Sequence, residues 1–409
     1  MRLLQMPLQL PPGMRLQFYR RLVAAGMCAI VAWVGTPDTL GVILYRTADP
    51  SANTVEPAGD LAGSGWQFEG QFGGFLGTPI APHYFVTAKH IGQASATMTF
   101  QGGTYTVVKG FNDPNSDLAI WQVAETFPAL APLYTHEDET GKGLVVIGRG
   151  TQRGDEISIS STLKGWAWGA GDGLQRWGEN TVAEIVSLGD GNNDGLYATF
   201  DAGGGFNEAH LSVGDSGGAA FIKDADGLWK LAGINYAVDG SFYTDAAGNG
   251  AFVAALFDIR GFYESNPSPP PAYKVVSGVV PVASGFYATR ISSKLPWIYS
   301  VVDPQGDVNG DGAKNLIGYA LGLDPGDPGA GKMPEVEVSG SDVSLIYTKE
   351  VTATDLTYAI EQSTDLASWS PASPVNVIVG TVGTIQTIKA KVPRGTESRL
   401  FLRLRVTRP

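Results

Sequence analysis

The stretch HLSVGDSGGAAF, from His210 to Phe221, sets glycine, aspartate and serine between two apolar segments. Glycine, aspartate and serine are common in tight turns, so a turn alone is one explanation. The other explanation is that Ser216 is a nucleophile, with glycines that let a substrate carbonyl approach the backbone. The choice depends on whether the chain offers a base for the serine proton.

Two other segments offer the groups that a serine nucleophile needs. YFVTAKHIG places His90 just past an apolar strand, and DPNSDLAIWQV places Asp117 immediately before another strand. An unassisted serine hydroxyl is a poor nucleophile, so an imidazole must take its proton. A carboxylate must then hold that imidazole in the correct tautomer. All three residues are predicted at strand–loop junctions, where a scaffold can direct them into a cleft.

The motifs VTAKH, SDLAIWQV and GDSGG, in the order His, Asp, Ser, resemble those of the trypsin/chymotrypsin-like serine peptidases over Gln71 to Val302. The resemblance implies an all-β fold, a double β-barrel with a short carboxy-terminal helix. It also implies a serine endopeptidase that acts on proteins or peptides without a catalytic cofactor. His90 would be the general base and acid, Asp117 would orient it, and Ser216 would attack the carbonyl. The backbone amides of Gly214 and Ser216 would form the oxyanion hole.

Other residues compete for these roles, and the chain departs from the family in places. His83 precedes its strand, His136 lies in an acidic loop, and Asp113 belongs to the turn signature NDPN. Ala219 stands where the family often has proline. No Ile-Val-Gly-Gly segment precedes the domain, so Asp215 needs another partner or the fold needs no cleavage. The alternative function is a binding or adhesion protein built on an inactive peptidase fold.

The sequence gives partial information on which residues determine substrate specificity. Counted back without gaps, His210 falls at the floor of the family's primary pocket, where trypsin-like members have aspartate. A buried, hydrogen-bonded histidine is an equal interpretation. The strand INYAV is expected to line the pocket edge and to bind substrate backbone through Tyr236 and Val238. The alternative is that Tyr236 is a core residue and that Asn235 points away from the pocket.

Composition limits the class of protein. The chain has 409 residues, 54 glycines and 25 prolines, which indicates many turns and more than one β-rich domain. Its net charge of −12 argues against nucleic acid or an anionic membrane as a partner. We expect a monomer with a protein or peptide substrate.

The amino end predicts an export signal over residues 1–36. Basic residues precede the apolar run Leu22 to Gly35, which is short for a membrane span. Retention as an anchor is the alternative, and a start at Met14 would give a more usual signal length. The only cysteine, Cys28, lies in this run, so the mature chain would contain no thiol. We therefore expect a secreted protein, either extracellular or periplasmic and cell-surface, that is free of the membrane after signal removal.

The remaining chain divides into three parts. Residues 37–302 form the predicted peptidase domain, which ends in a helix over Arg290 to Val302. The proline-rich piece Asn266 to Tyr273 is interpreted as a surface excursion within it. Residues 303–334 are an Asp/Gly-rich linker, and residues 335–409 alternate like a small β-sandwich accessory domain. Trp369 in this sandwich is predicted to be a core residue.

Two acidic loops are candidate sites for structural calcium. DVNGDGAKNLIGYALG in the linker resembles dockerin and thrombospondin type 3 repeats, with Asp303 or Asp324 replacing the missing acid at Gly318. DGNNDGLYATFD follows an EF-like spacing, and an Asx-rich surface turn is the interpretation that we favour there. The candidate ligands are, in the linker, Asp307, Asn309, Asp311 and Asn315, and in the other loop Asp190, Asn192, Asp194 and Asp201.

Overall fold

The computed structural model describes residues 41–188, 194–266, 272–324 and 333–409, so the predicted signal at 1–36 lies outside the described residues. The chain divides into two compact units. The first contains residues up to 109 and residues 116–292, and the second contains residues 110–115 and 293–409. No helix in the described part of the chain is both long enough and apolar enough to span a bilayer.

The amino-terminal half of the first unit is a closed six-stranded barrel, with strand order β2-β3-β4-β7-β6-β5. Its interior is filled by large apolar side chains, among them Phe72, Phe85 and Phe100, which are almost fully buried. Because successive strand residues face opposite sides, Phe85 points into this core while its neighbour Val86 is buried on the other face of β4. The strands are β2 (Gly70–Phe72), β3 (Phe75–Ala81), β4 (Tyr84–Ala88), β5 (Thr97–Phe100), β6 (Gly103–Asn112) and β7 (Leu118–Val123).

A seven-stranded sheet with order β11-β8-β15-β16-β21-β13-β12 forms the rest of this unit's framework. Its two flanks approach each other, since Asn180 Nδ2 in β11 donates a 2.9 Å hydrogen bond to the Thr199 carbonyl in β13. The sheet therefore curls toward a second barrel around one apolar core. The strands are β8 (Gly143–Gly148), β11 (Arg176–Thr181), β12 (Glu184–Val186), β13 (Gly195–Thr199), β15 (Ala219–Lys223), β16 (Trp229–Val238) and β21 (Gly285–Arg290).

Three small sheets complete the first unit. The two-stranded sheet places Ile43 opposite His210, so a strand near the start of the described chain runs beside the segment that leads to Ser216. The other two sheets have the orders β18-β10-β9 and β17-β19-β20. The strands are β1 (Ile43–Leu44), β9 (Arg153–Ile159), β10 (Thr162–Trp168), β14 (Ala209–His210), β17 (Phe242–Tyr243), β18 (Ala254–Leu256), β19 (Tyr263–Asn266) and β20 (Ala272–Val275).

The second unit contains two short helices and two sheets. Helices α1 (Leu295–Val302) and α2 (Asn315–Leu321) precede sheets of order β22-β23-β27-β26 and β25-β24-β28. Residues of both sheets share one core, including Tyr347 and Ile360. The strands are β22 (Glu335–Ser339), β23 (Asp342–Glu350), β24 (Thr357–Ser363), β25 (Ser370–Pro371), β26 (Val375–Val382), β27 (Ile385–Pro393) and β28 (Phe401–Thr407).

The prediction of an all-β chain with barrel-like sheets and a short helix near Val302 is confirmed. The sequence assigned that helix to the peptidase domain, whereas the division by compactness falls between Ser292 and Ser293 and places α1 in the second unit. A hydrogen bond within that unit ties the helix down, because Arg408 donates to the Ser300 carbonyl at 2.7 Å.

Candidate active site

The end of β4 positions His90. The last residues of that strand are buried, and the chain then forms a single 3-10 turn, Lys89–Ile91, which carries the histidine outward. Gly92 ends the turn with a φ of 60°, a conformation that glycine adopts without strain. The His90 side chain is 29% exposed, so its ring is anchored on one side and open to a substrate on the other.

Antiparallel pairing of β4 and β7 brings Asp117 next to His90. Ala88 pairs with Leu118, so the residues just beyond each strand are neighbours. The Lys89 amide donates to the Asp117 carbonyl at 2.8 Å, and the His90 amide donates to Asp117 Oδ1 at 2.9 Å. The other carboxylate oxygen, Oδ2, lies 2.5 Å from His90 Nδ1. The aspartate thus holds both the backbone and the ring of the histidine.

Ser216 completes the group from the seven-stranded sheet, in the turn between β14 and β15. Its Oγ lies 2.8 Å from His90 Nε2. Since a carboxylate only accepts hydrogen bonds, Nδ1 carries the ring proton that faces Asp117. Nε2 is then the acceptor, and the serine hydroxyl donates to it. Three residues that are far apart in the sequence therefore form one continuous hydrogen-bonded chain.

Two backbone amides in the serine turn donate no hydrogen bond to another described residue. Gly214 has a φ of 94°, in the region that favours glycine. The neighbouring amides are used, because Asp215 donates to the Ser212 carbonyl and Gly217 donates to the Asn235 carbonyl. Among the described residues, the amides of Gly214 and Ser216 have no acceptor.

Strand β16 runs alongside this group. The Tyr236 ring lies edge-on to the His90 ring, with 6.1 Å between centroids, and is half-buried. Val238 is half-buried against the core of the seven-stranded sheet. Asn235 is fully buried, and its side-chain amide donates to the Ile147 carbonyl at 2.8 Å and to the Asp215 carbonyl at 3.1 Å. Asn235 therefore ties β16 to the serine turn, a role that the sequence did not reveal.

His210 does not lie on an open pocket floor. Its side chain is fully buried, Nδ1 donates to the Leu211 carbonyl at 2.6 Å, and Nε2 lies 3.3 Å from Ser284 Oγ. Burial lowers the pKa of His210, which favours the neutral ring. Of the two interpretations that the sequence left open, these observations fit the buried, hydrogen-bonded histidine, whose backbone pairs with Ile43 of β1.

The histidine and aspartate rivals have local roles. His83 Nδ1 lies 3.0 Å from the Glu125 carbonyl, and His136 is exposed near Asp224. Asp113 is buried and accepts a 3.1 Å hydrogen bond from the Asn115 amide, as expected for a residue that caps a turn.

In the linker, the predicted calcium ligands fold into one compact loop. Asp307 accepts hydrogen bonds from the amides of Asp311 and Gly312, at 3.1 and 2.9 Å. A cavity of about 20 Å³ is lined by side chains that include Asn309, Asp311, Asn315 and Asp324. Of the two acids considered as the missing ligand, Asp324 lines this cavity. No cluster of three or more histidine, cysteine, aspartate or glutamate side chains suited to a metal occurs in the described ranges.

The EF-like spacing near residue 194 does not form one cation loop. Asp190 and Asn192 lie outside the described residues, while Asp194 and Asp201 stand on either side of β13. That five-residue strand spans roughly 16 Å, whereas ligands of one calcium ion lie about 2.4 Å from it. Asp194 is buried and accepts a hydrogen bond from the Leu188 amide instead. The spacing was misleading because a strand, not a turn, separates its last two members.

Comparisons with known proteins found matches among the solved structures. No family model matches the sequence, and neither does any of the curated proteins. Kallikrein-related peptidase 10 is 12% identical over 60% of this chain and 98% of its own, with a TM-score of 0.34. The active form of the Rv3671c protease from M. tuberculosis is 17% identical over 54% of this chain and 87% of its own, with a TM-score of 0.29. Both are peptidases by name.

Proposed function

We propose that this chain is a serine endopeptidase. The observation that carries the proposal is the continuous chain Asp117 Oδ2, His90 Nδ1, His90 Nε2 and Ser216 Oγ, with distances of 2.5 and 2.8 Å. A base within hydrogen-bonding reach of the hydroxyl, itself oriented by a carboxylate, is what activation of a serine requires. The backbone amides of Gly214 and Ser216, which have no acceptor among the described residues, lie beside the nucleophile.

The reaction follows from these positions. Ser216 Oγ bonds to the carbonyl carbon of the substrate as its proton passes to His90 Nε2. Asp117 stabilises the resulting imidazolium, and the amides of Gly214 and Ser216 donate to the oxyanion. Collapse of this intermediate breaks the C–N bond, and Nε2 gives its proton to the departing amine. Water then attacks the acyl-serine while His90 takes a proton, and the carboxylic acid is released with the serine restored.

A serine-directed phosphonate probe tests this proposal with the purified chain. We expect one label per chain, lost in Ser216→Ala and retained in Ser160→Ala, which removes an exposed turn serine of the same unit. Cleavage of a diverse peptide library should follow the same pattern. Absence of both labelling and cleavage in the wild type would refute the peptidase and favour the alternative, a binding or adhesion protein.

We propose that substrate backbone binds along β16 at Tyr236 and Val238. We also propose that the protein is exported and acts as a monomer. The edge-on position of Tyr236 next to the His90 ring supports the first part. If Tyr236→Ala leaves both KM and kcat on the best library peptide unchanged, this subsite is wrong.

We propose calcium as a structural ion of the linker loop. Carboxylate and amide oxygens from Asp307, Asn309, Asp311 and Asn315 are the donors that calcium prefers. These residues fit the ion in chemistry, and the binding would couple to folding of the loop. Calcium should raise the melting temperature, and Asp311→Ala should abolish that rise. A melting temperature indifferent to chelator would refute the site.

A further inference from the structure

The segment that leads to Asp117 belongs to the second unit. Residues Gly110–Asn115 group with residues 293–409 by compactness, and the first unit resumes at Ser116. Only Ser116 separates this segment from Asp117 in the chain. The Cα atoms of Asn115 and Asp117 are therefore at most about 7.6 Å apart, so a shift of Asn115 reaches Asp117 through two peptide bonds.

The end of this segment is a stiff turn. The Asn115 amide donates a 3.1 Å hydrogen bond to Asp113 Oδ1, across Pro114. The proline ring fixes one backbone dihedral of the turn, and the hydrogen bond from the aspartate closes it. Asp113 is 1% exposed, so the turn is also held by packing. Asp113, Pro114 and Asn115 therefore move as one piece.

Other residues of the second unit hold this turn at both ends. Asn115 Nδ2 donates a 3.1 Å hydrogen bond to the Thr352 carbonyl. Lys294 Nζ lies 3.7 Å from Asp113 Oδ2, and both of these side chains are at most 7% exposed. A buried pair of opposite charges is screened less by salt than an exposed one. The position of the turn is thus set by the second unit.

The Thr352 carbonyl is itself part of a well-braced turn. Both the hydroxyl and the amide of Thr352 donate to Glu350 Oε1, at 2.7 and 3.0 Å. Asp355, three positions further on, accepts hydrogen bonds from the Tyr319 hydroxyl at 3.1 Å and from Arg408 Nε at 2.9 Å. Asn115 is therefore bound to a part of the second unit that is tied to α2 and to the chain just after β28.

Asp117 is held on both sides along the chain. On its carbonyl side the Lys89 amide donates at 2.8 Å, and on its amino side the chain leads within two residues to Asn115. Its carboxylate must meet the His90 amide at 2.9 Å and His90 Nδ1 at 2.5 Å. Hydrogen bonds weaken steeply when their angles change, so a small rotation of Asp117 would misdirect the imidazole.

We propose that the second unit is part of the catalytic apparatus, because its hydrogen bond from Asn115 to the Thr352 carbonyl positions the Asp117 carboxylate against His90. This inference rests on the proposed function. It makes Asn115 a positioning residue that acts through Asp117 and does not touch the substrate. The carboxy-terminal sandwich then contributes to kcat, beyond any part it has in binding.

The experiment compares two alanine substitutions in the second unit of the full chain. Asn115→Ala removes the donor to Thr352 and keeps the backbone amide that binds Asp113. The matched control is Thr348→Ala, since the half-buried Thr348 hydroxyl likewise donates to a carbonyl of this unit, that of Leu321 at 2.8 Å. With the best library peptide, we expect Asn115→Ala to lower kcat about fivefold, the factor for a hydrogen bond worth about 1 kcal/mol, with KM changed less than twofold. Thr348→Ala should match the wild type.

A second background separates positioning from a general loss of structure. Asp117→Ala leaves no carboxylate to position, so adding Asn115→Ala should change the residual rate of phosphonate labelling less than 1.5-fold. In the presence of Asp117, the same substitution should slow labelling about fivefold. Equal losses in the two backgrounds would mean that Asn115 acts on the fold as a whole, and the inference would be overturned.

Titration with a saturating phosphonate restricts the comparison to folded chains, because kcat is then expressed per labelled serine. If kcat per labelled chain of Asn115→Ala lies within 1.5-fold of that of Thr348→Ala, the inference is overturned while the peptidase proposal stands. A wild type that neither labels nor cleaves any peptide refutes the proposed function itself, and the inference with it.

Discussion

Glu69 lies buried just before β2, and its replacement by glutamine provides a quantitative test of how a buried carboxyl affects stability. The side chain is 9% exposed, and Oε1 accepts a 2.8 Å hydrogen bond from the Thr78 hydroxyl. Within the described ranges, Oε2 is buried and has no hydrogen-bond partner. Burial raises the pKa of Glu69 from 4.5 to about 8, although the hydrogen bond from Thr78 opposes the rise.

The raised pKa of Glu69 determines how the stability of the protein changes with pH. The unfolded chain releases the Glu69 proton near pH 4.5 and the folded chain near pH 8, so between these values the folded state binds more protons. The contribution of Glu69 to the free energy of unfolding is therefore fully present below pH 4.5 and falls as the pH rises toward 8. At about 1.4 kcal/mol per pKa unit, the loss amounts to about 5 kcal/mol.

Glu69→Gln removes the titration and keeps an acceptor for Thr78. In urea unfolding at pH 5 to 9, we expect the stability of Glu69→Gln relative to the wild type to increase with pH up to about 8 and then to level off. Glu125→Gln is the matched control, since hydrogen bonds from Thr106 lower the pKa of that exposed carboxylate and confine its effect to acid. A relative stability of Glu69→Gln that is the same at every pH would refute the buried, protonated carboxyl.

Three other substitutions test the site and its support. Asp117→Asn should retain the fold but lower kcat by roughly 10⁴-fold, because an amide cannot hold the histidine in the correct tautomer; unchanged kcat would remove Asp117 from its role. Gly217→Ala should lower the free energy of unfolding by about 2–4 kcal/mol and reduce labelling by the phosphonate, because φ is 79° and a Cβ would overlap with the Thr87 hydroxyl. A wild-type melting curve for this variant would contradict that expectation. Arg290→Ala leaves the fully buried Glu139 carboxylate unpaired and should cost about 3–5 kcal/mol in urea unfolding; a cost below 1 kcal/mol would refute the buried ion pair.

The meeting of His90, Asp117 and Ser216 was predictable because each residue sits in a short local pattern. An apolar strand followed by histidine, and an aspartate followed by an apolar strand, place both residues at strand ends. Pairing of those strands, Ala88 with Leu118, then brings His90 and Asp117 together. GDSGG marks a turn with room for a backbone approach, so Ser216 was identified without knowledge of distant contacts.

Residues that depend on distant pairing were not predictable. His210 pairs with Ile43, which lies far upstream, and no periodicity near either residue indicates that pairing. The ion pair of Glu139 and Arg290 joins residues separated by 151 positions. Asp215 accepts hydrogen bonds from the Gly150 and Ser212 amides. Such amides carry no residue-type signal, since every residue except proline has one.

Glycine placement, more than the hydrogen bonds of the three reacting residues, sets the geometry of this site. His90 and Asp117 belong to the barrel and Ser216 to the seven-stranded sheet, so their register depends on how closely the two backbones approach. Gly217 brings the serine turn against the barrel, where a Cβ would lie 2.8 Å from the Leu76 carbonyl. Gly148 and Gly150 bring the same turn against β8 and the loop after it. A methyl group at any of these glycines would move the Ser216 hydroxyl relative to the His90 ring without changing the chemistry of either side chain. We therefore expect kcat to be more sensitive to these glycines than their lack of functional groups suggests.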